Sequence, residues 1–166
     1  MLRTFDGTEP QVAHSAYVDE SAVVIGDVVI EEEASVWPNA TVRGDSGQIV
    51  IRERANVQDN AVLHEDSVLE PDTTVGHSAI VHAATVGEGA LVGMSAVVLD
   101  GAHVGENAVV GAGAVVTEGT EVPPATLVVG TPAEPKTEID ESLAGEAAEH
   151  YRSLARKYDE TSERIE

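Results

Sequence analysis

Branched apolar residues recur at every sixth position through the second half of the chain, at Val86, Val92, Val98, Val104, Val110, Val116 and Val122. A small residue follows four places later, at Ala90, Ala96, Ala102, Ala108, Ala114 and Thr120, and glycine directly follows the branched residue at Gly87, Gly93, Gly105 and Gly111. Neither the helical period of 3.6 nor the strand period of 2 requires this spacing. A coil with three short sides does. Each hexapeptide then forms one side of a triangular prism, its branched residue pointing inward and its small residue filling tighter space near a corner. The glycines permit turning or close approach of neighbouring backbones. Three sides make an eighteen-residue coil, and coils stack through parallel hydrogen bonds about 4.8 Å apart.

The first half carries the same pattern in two other phases. Val12, Val18, Val24, Ile30, Val36 and Val42 form one series, and Ile51, Val57, Leu63, Leu69, Val75 and Val81 the next. An insertion around Arg43-Gly44-Asp45-Ser46-Gly47 separates them, and a shortened repeat lies between Val81 and Val86. In a regular solenoid such irregularities fall at corners, where loops carry function. The prism is expected from Val12 to Val129, with about six to seven coils and a length of about 30 Å. The fold class is therefore an all-β solenoid, a parallel β-helix of hexapeptide repeats with a C-terminal α-helix. Residues 1–133 are assigned to the β-helix domain and 134–166 to a linker and amphipathic helix. Thr137 is predicted to cap that helix at Glu138, with Asp140 in the capping-box position. Ile139, Leu143, Ala147, Tyr151, Leu154 and Tyr158 make an apolar stripe at helical spacing. Acidic Glu138, Asp140 and Glu141 early, with Arg152, Arg156 and Lys157 late, suit the helix dipole. The stripe is expected to pack on a prism side of its own or a neighbouring chain.

Composition narrows the chemistry. One Phe, one Trp and three Tyr leave a narrow core of small and branched residues. The formal charge of −21, from 30 acidic residues against 9 Lys and Arg, repels nucleic acid and anionic membranes and points to a salt-rich cytoplasm and a halophilic source. The absence of Cys excludes disulfides, thiolate metal sites and a cysteine nucleophile. The start lacks the apolar run of a signal peptide, and nothing approaches a membrane span, so a cytoplasmic protein is expected.

His64 and His82 follow inward-facing Leu63 and Val81 and stand eighteen residues apart, which places them on one ladder with neighbouring imidazoles. His77 follows Val75 by two positions, on the preceding side, and completes a shared site only through a corner or from another subunit. Three imidazoles hold zinc with a fourth position open; shared surface hydrogen bonds are the simpler reading of the same spacing. Asn56, Gln58, Asp59 and Asn60 make one segment polar. Arg43 and Asp45, bracketing Gly44, suit a loop-stabilising ion pair or a contact across an interface. His14, His103 and His150 have no such arrangement and are expected to be exposed or locally packed.

At Ser35-Val36-Trp37-Pro38-Asn39-Ala40, Arg43-Gly44-Asp45, Asn56-Val57-Gln58-Asp59-Asn60, His64-Glu65-Asp66, Gly76-His77, His82 and Gly130-Thr131-Pro132-Ala133, the chain resembles the gamma-class carbonic anhydrase-like family. The resemblance covers nearly the whole chain. It implies a left-handed β-helix assembled as a homotrimer, with metal held by His64 and His82 of one chain and His77 of its neighbour. The metal implied is Zn2+, with Fe2+ or Co2+ as alternatives. The activity implied is reversible hydration of carbon dioxide to bicarbonate by a metal-bound hydroxide. Arg43 and Asp45 then order the interface, Gln58 positions the attacking solvent, and Asn56 assists that network. The segment from His64 to Val75 keeps the period of six without an extra acidic loop, which leaves Glu65 and Asp66 as the nearby candidates for proton transfer. The competing readings are a hexapeptide-repeat acyltransferase or thioesterase-like enzyme using His as a base, and a trimeric metal-binding protein without turnover.

Overall fold

The computed structural model describes residues 1–140, 142–163 and 165, with 142–145 as backbone alone. It is a left-handed parallel β-helix followed by one α-helix, Ser142–Thr161. Most strands are two residues long, because each hexapeptide spends its other residues turning the corner. The inward residues stack in ladders. Val24, Val42, Leu63, Val81, Val98 and Val116 follow one another in register along one face and are fully buried. A second face runs through Ile30, Ile51, Leu69, Val86, Val104 and Val122, and the third stacks seven parallel strands from Tyr17–Val18 to Thr126–Val129.

Corners and close approach are handled by different residues. Left-handed backbone at the turns falls on short polar residues such as Asn39, Asn60 and Asn107, on Gly89, Gly101, Gly113 and Gly119, and also on Arg54 and Ala83. The glycines after the branched positions serve the other need. A Cβ on Gly93 would lie 2.7 Å from both the nitrogen of Ala112 and the carbonyl oxygen of Val110 in the next coil.

Three expectations change. The insertion around Gly44 is no corner loop: Thr41–Ile51 is a single strand of eleven residues, paired with Val23–Ile30 across a register shift between Gly26 and Val28. The prism also begins before Val12, since Leu2–Arg3 lies parallel to Val24–Ile25. Finally, the helix does not start at Glu138 under a Thr137 cap. Glu134–Glu138 is a strand, antiparallel to Thr126–Val129, because that edge of the last coil offers open backbone groups that an extended segment satisfies.

The dipole reading is overturned with the helix boundary. Glu138 and Asp140 precede the helix, Glu141 lies outside the described residues, and Arg152 and Arg156 reach back to the prism instead, where both pair with Glu33. The helix packs on the third face of its own chain. Trp37, 3% exposed, has Tyr17, Tyr151 and Tyr158 around it at ring-centroid distances of 5.2 Å each. Among the described helix side chains, Ala148 and Ala155, outside the expected stripe, are the most fully buried; the side chain of Leu143 lies outside the described residues.

The hydrogen bond from Arg156, aided by the charges of Arg156 and Arg152, holds the Glu33 carboxyl below its ordinary range. A carboxyl lowered by folding stabilises the folded form above its unfolded value and loses that contribution as pH falls through the folded value. Acidification below about pH 4 is therefore expected to loosen the helix and change the fluorescence of Trp37. The Glu33→Gln variant should lack that component of the titration; an unaltered fluorescence curve in the variant would refute the clasp.

Candidate functional site

The strand of Leu63 and the strand of Val81 each end on a histidine that points outward. Their parallel register sets His64 beside His82, and Arg43 beside His64, so the rung reads Arg43, His64, His82. The two imidazoles meet with ring centroids 5.0 Å apart, and His64 Nδ1 lies 3.1 Å from His82 Nε2. Each ring is also tied at its other nitrogen. His64 Nε2 is 3.1 Å from Asp45 Oδ1, and His82 Nδ1 is 2.7 Å from Asp100 Oδ1.

These contacts determine the tautomers. A carboxylate accepts only, so His64 donates from Nε2 and His82 from Nδ1. In the neutral rings, two lone pairs then face each other across 3.1 Å. The Arg43 guanidinium, 3.4 Å from His64 Nδ1, donates only and agrees with that assignment. Facing lone pairs repel, and a shared cation removes the repulsion. Two nitrogens bound tetrahedrally to one ion at about 2.05 Å would stand about 3.3 Å apart, close to the spacing of this pair. Carboxylates that hold the far nitrogens are also the usual support of metal-binding histidines. The residues present thus fit a metal ion.

Glu65 joins the pair. His64, Glu65 and His82 each offer a ligand atom within 4.8 Å of the others. Glu65 has φ 53°, a left-handed turn immediately after His64. Asp66 is exposed and lies over Gly47, where a Cβ would come 2.5 Å from its Oδ1. Arg43 and Asp45 form an ion pair at 3.3 Å. Desolvation pushes the Asp45 carboxyl up, but the hydrogen bond from His64 and the charge of Arg43 outweigh it and hold the group below its ordinary value.

The other expected site residues gather elsewhere, on the third face under the helix. Asn56 is fully buried, donating to Thr74 Oγ1 at 2.8 Å, and Gln58 donates to Asn56 Oδ1 at 3.2 Å. His77 Nδ1 lies 2.9 Å from Asp59 Oδ2, and the Tyr151 hydroxyl lies 3.3 Å from His77 Nε2. Gln58, His77 and Tyr151 border an apolar cavity of about 390 Å³ with Leu91, Met94 and Val109. His14, His103 and His150 are exposed, as expected.

Asp100 and Tyr151 were not among the expected site residues. Asp100 is eighteen residues beyond His82, a usable signal, but the shortened repeat sets Val98 beside Val81 and so puts Leu99 rather than Asp100 next in the rung. Tyr151 was visible only as part of an apolar stripe.

Residues 83–118 match the family of the bacterial transferase hexapeptide (six repeats). A carbonic anhydrase of Geobacillus kaustophilus is 43% identical over 145 residues, 85% of this chain and 80% of that one. Two solved structures superpose over nearly the full length. One is a Bacillus cereus protein named provisionally as an acetyltransferase, with 34% identity, a TM-score of 0.92 and 96% of each chain covered. The other is a hexapeptide transferase family protein of Anaplasma phagocytophilum, with 36% identity, a TM-score of 0.93, and 95% of this chain and 97% of that one covered. Among the described residues, no helix is long and apolar enough to cross a membrane.

Proposed function

This chain belongs to the hexapeptide-repeat, left-handed β-helix family, and from that premise we propose that it is a metal-dependent enzyme that hydrates carbon dioxide reversibly. The observation that carries the reading is the imidazole pair, whose facing nitrogens converge at 3.1 Å while Asp45 and Asp100 hold the opposite ones. His64 and His82 would hold the ion, Zn2+ or alternatively Fe2+ or Co2+, which supplies the Lewis acidity that makes water a nucleophile near neutral pH. Asp45 and Asp100 keep both rings in the tautomer that presents a lone pair. Glu65, within reach of both rings, and Asp66, next to it in sequence, are the acidic groups that would accept protons from the site. His77, Asn56 and Gln58 lie on a different face. A homotrimer, in which a second copy brings its third face to the imidazole pair, would supply His77 as a further ligand and Gln58 as a hydrogen-bonding partner of the reacting solvent.

A second reading is acyl transfer from a thioester. Its support lies in the names of the two full-length structural relatives and in the Asp59–His77 dyad beside the apolar cavity, where Nε2 would serve as general base. A thioesterase-like reaction would use the same dyad.

One set of measurements on the full chain in molar KCl separates these readings. Carbon dioxide hydration is expected to depend on bound metal and to be lost in His64→Ala, His77→Ala and His82→Ala. Mixed His77→Ala and His82→Ala chains should recover part of it, because each supplies what the other lacks. Consumption of acetyl-coenzyme A without metal, abolished by His77→Ala alone, would establish the second reading in place of the first. Bound metal without turnover of either substrate would leave a trimeric metal-binding protein.

A further inference from the structure

The C-terminal helix reaches the candidate chemistry through Tyr151. The Tyr151 hydroxyl lies 3.3 Å from Nε2 of His77. Asp59 determines the direction of this contact. Its carboxylate, 2.9 Å from His77 Nδ1, requires the ring to carry its proton there. The neutral ring then has an acceptor at Nε2, and the phenol donates to it.

We infer that Tyr151 masks Nε2 of His77, so that docking of the C-terminal helix governs whether this nitrogen is available as a ligand or a base. The inference rests on the reading of His77 as a site residue. It is independent of which reaction the site performs, because coordination and general-base catalysis need the same lone pair. Tyr151 is a positioning residue in this scheme.

Three observations make the mask a property of the helix. The Tyr151 ring is held edge-on to Trp37 at 5.2 Å and 76°, which aims the hydroxyl away from the aromatic cluster and toward His77. The next residue, Arg152, and Arg156 a turn beyond it fasten the helix to Glu33. Both contacts to His77 come from different segments, Asp59 from the prism and Tyr151 from the helix, so the helix withdraws its hydrogen bond on moving while the prism keeps the tautomer unchanged.

Tyr151→Phe removes the hydroxyl and retains the ring that packs on Trp37, which preserves the fold. Metal-free full chain labelled with 15N-histidine provides the first readout. The Nε2 resonance of His77 should move toward that of a bare pyridine-type nitrogen in the variant, while Nδ1 remains protonated. The second readout is Co2+ affinity, expected to rise about two- to tenfold, the equivalent of one neutral hydrogen bond that no longer competes. An unchanged Nε2 resonance would overturn the mask whatever the metal does. A shifted resonance with unchanged or weaker Co2+ binding would overturn its control of ligation. Failure of the wild-type chain to bind Co2+, with the resonance shifted, would remove the metal reading and leave the mask acting on a general base.

Discussion

Asp100→Ala is expected to weaken metal binding about ten- to a hundredfold, and His82→Ala to abolish tight binding altogether. Asp100 is half exposed and ligates nothing in this arrangement, so its loss should leave the prism intact. Its effect would come through His82. With the 2.7 Å contact at Nδ1 gone, the ring is free to rotate and to move its proton to Nε2, the atom that faces His64. Both changes remove the prepared lone pair. Competition for Zn2+ against a chelator of known affinity, in molar KCl, measures the effect directly. Wild-type affinity in Asp100→Ala would show that the carboxylate contact is incidental, and stoichiometric tight binding in His82→Ala would end the proposal that the pair is a metal centre.

Gly44→Ala should destabilise the fold by about 3 kcal/mol or more. A Cβ at this position would lie 2.3 Å from the carbonyl oxygen of Asp27 and 2.8 Å from its carbon, backbone atoms that no side-chain rotation can move. The neighbouring strand is equally tight, since a Cβ on Gly26 would come 2.4 Å from the carbonyl oxygen of Gly44. Relief requires parting Val23–Ile30 from Thr41–Ile51, the pair that carries the backbone round a corner and sets Arg43 and Asp45 beside His64. Gly113→Ala is the comparison. Its surroundings are open, with nothing within 4 Å of the added carbon, so only the positive φ opposes it, at about 1–2 kcal/mol. Denaturant unfolding of both variants decides the matter: equal losses would mean that the close approach at Gly44 is not a constraint.

The architecture was legible because the hexapeptide period is itself the geometry. Leu63 and Val81 occupy one inward ladder, and the histidines that follow them occupy one outward ladder, so spacing alone placed two imidazoles side by side. What escaped the period depended on its interruptions. The step between equivalent positions lengthens to 21 residues from Ser35 to Asn56, and the extra residues form strand rather than loop because Gly26 and Gly44 let two backbones run in contact. It shortens to 17 from Thr74 to Leu91, which takes Asp100 out of the rung and leaves it free to reach His82 from the corner. Glu65 meets the imidazole pair through a left-handed turn that no hydrophobic pattern encodes.

At the C-terminus the reason was different. Thr137, Glu138 and Asp140 are a sound helix-start pattern, but local propensity there yields to an adjacent unpaired strand edge. The apolar stripe likewise announced a packed helix without naming its seat. The seat is set by Trp37, whose flat ring accepts two tyrosines from the helix, and by Glu33, which accepts two arginines.

The strand Glu134–Glu138 has a bearing on the molecule's behaviour at high concentration. A rod whose coils stack by backbone pairing has, at its last coil, a surface on which another rod could continue, and repetition of that event makes a fibre. Here the chain doubles back over one of the three faces in the opposite direction, placing exposed Glu134, Pro135, Lys136 and Glu138 on the outermost strand, where charge and proline oppose pairing with another coil. Pro123 and Pro124 follow the final strand of a second face, where proline offers no amide hydrogen to a newcomer. The polypeptide itself thus opposes polymerisation from that end, before the repulsion between acidic surfaces comes into play.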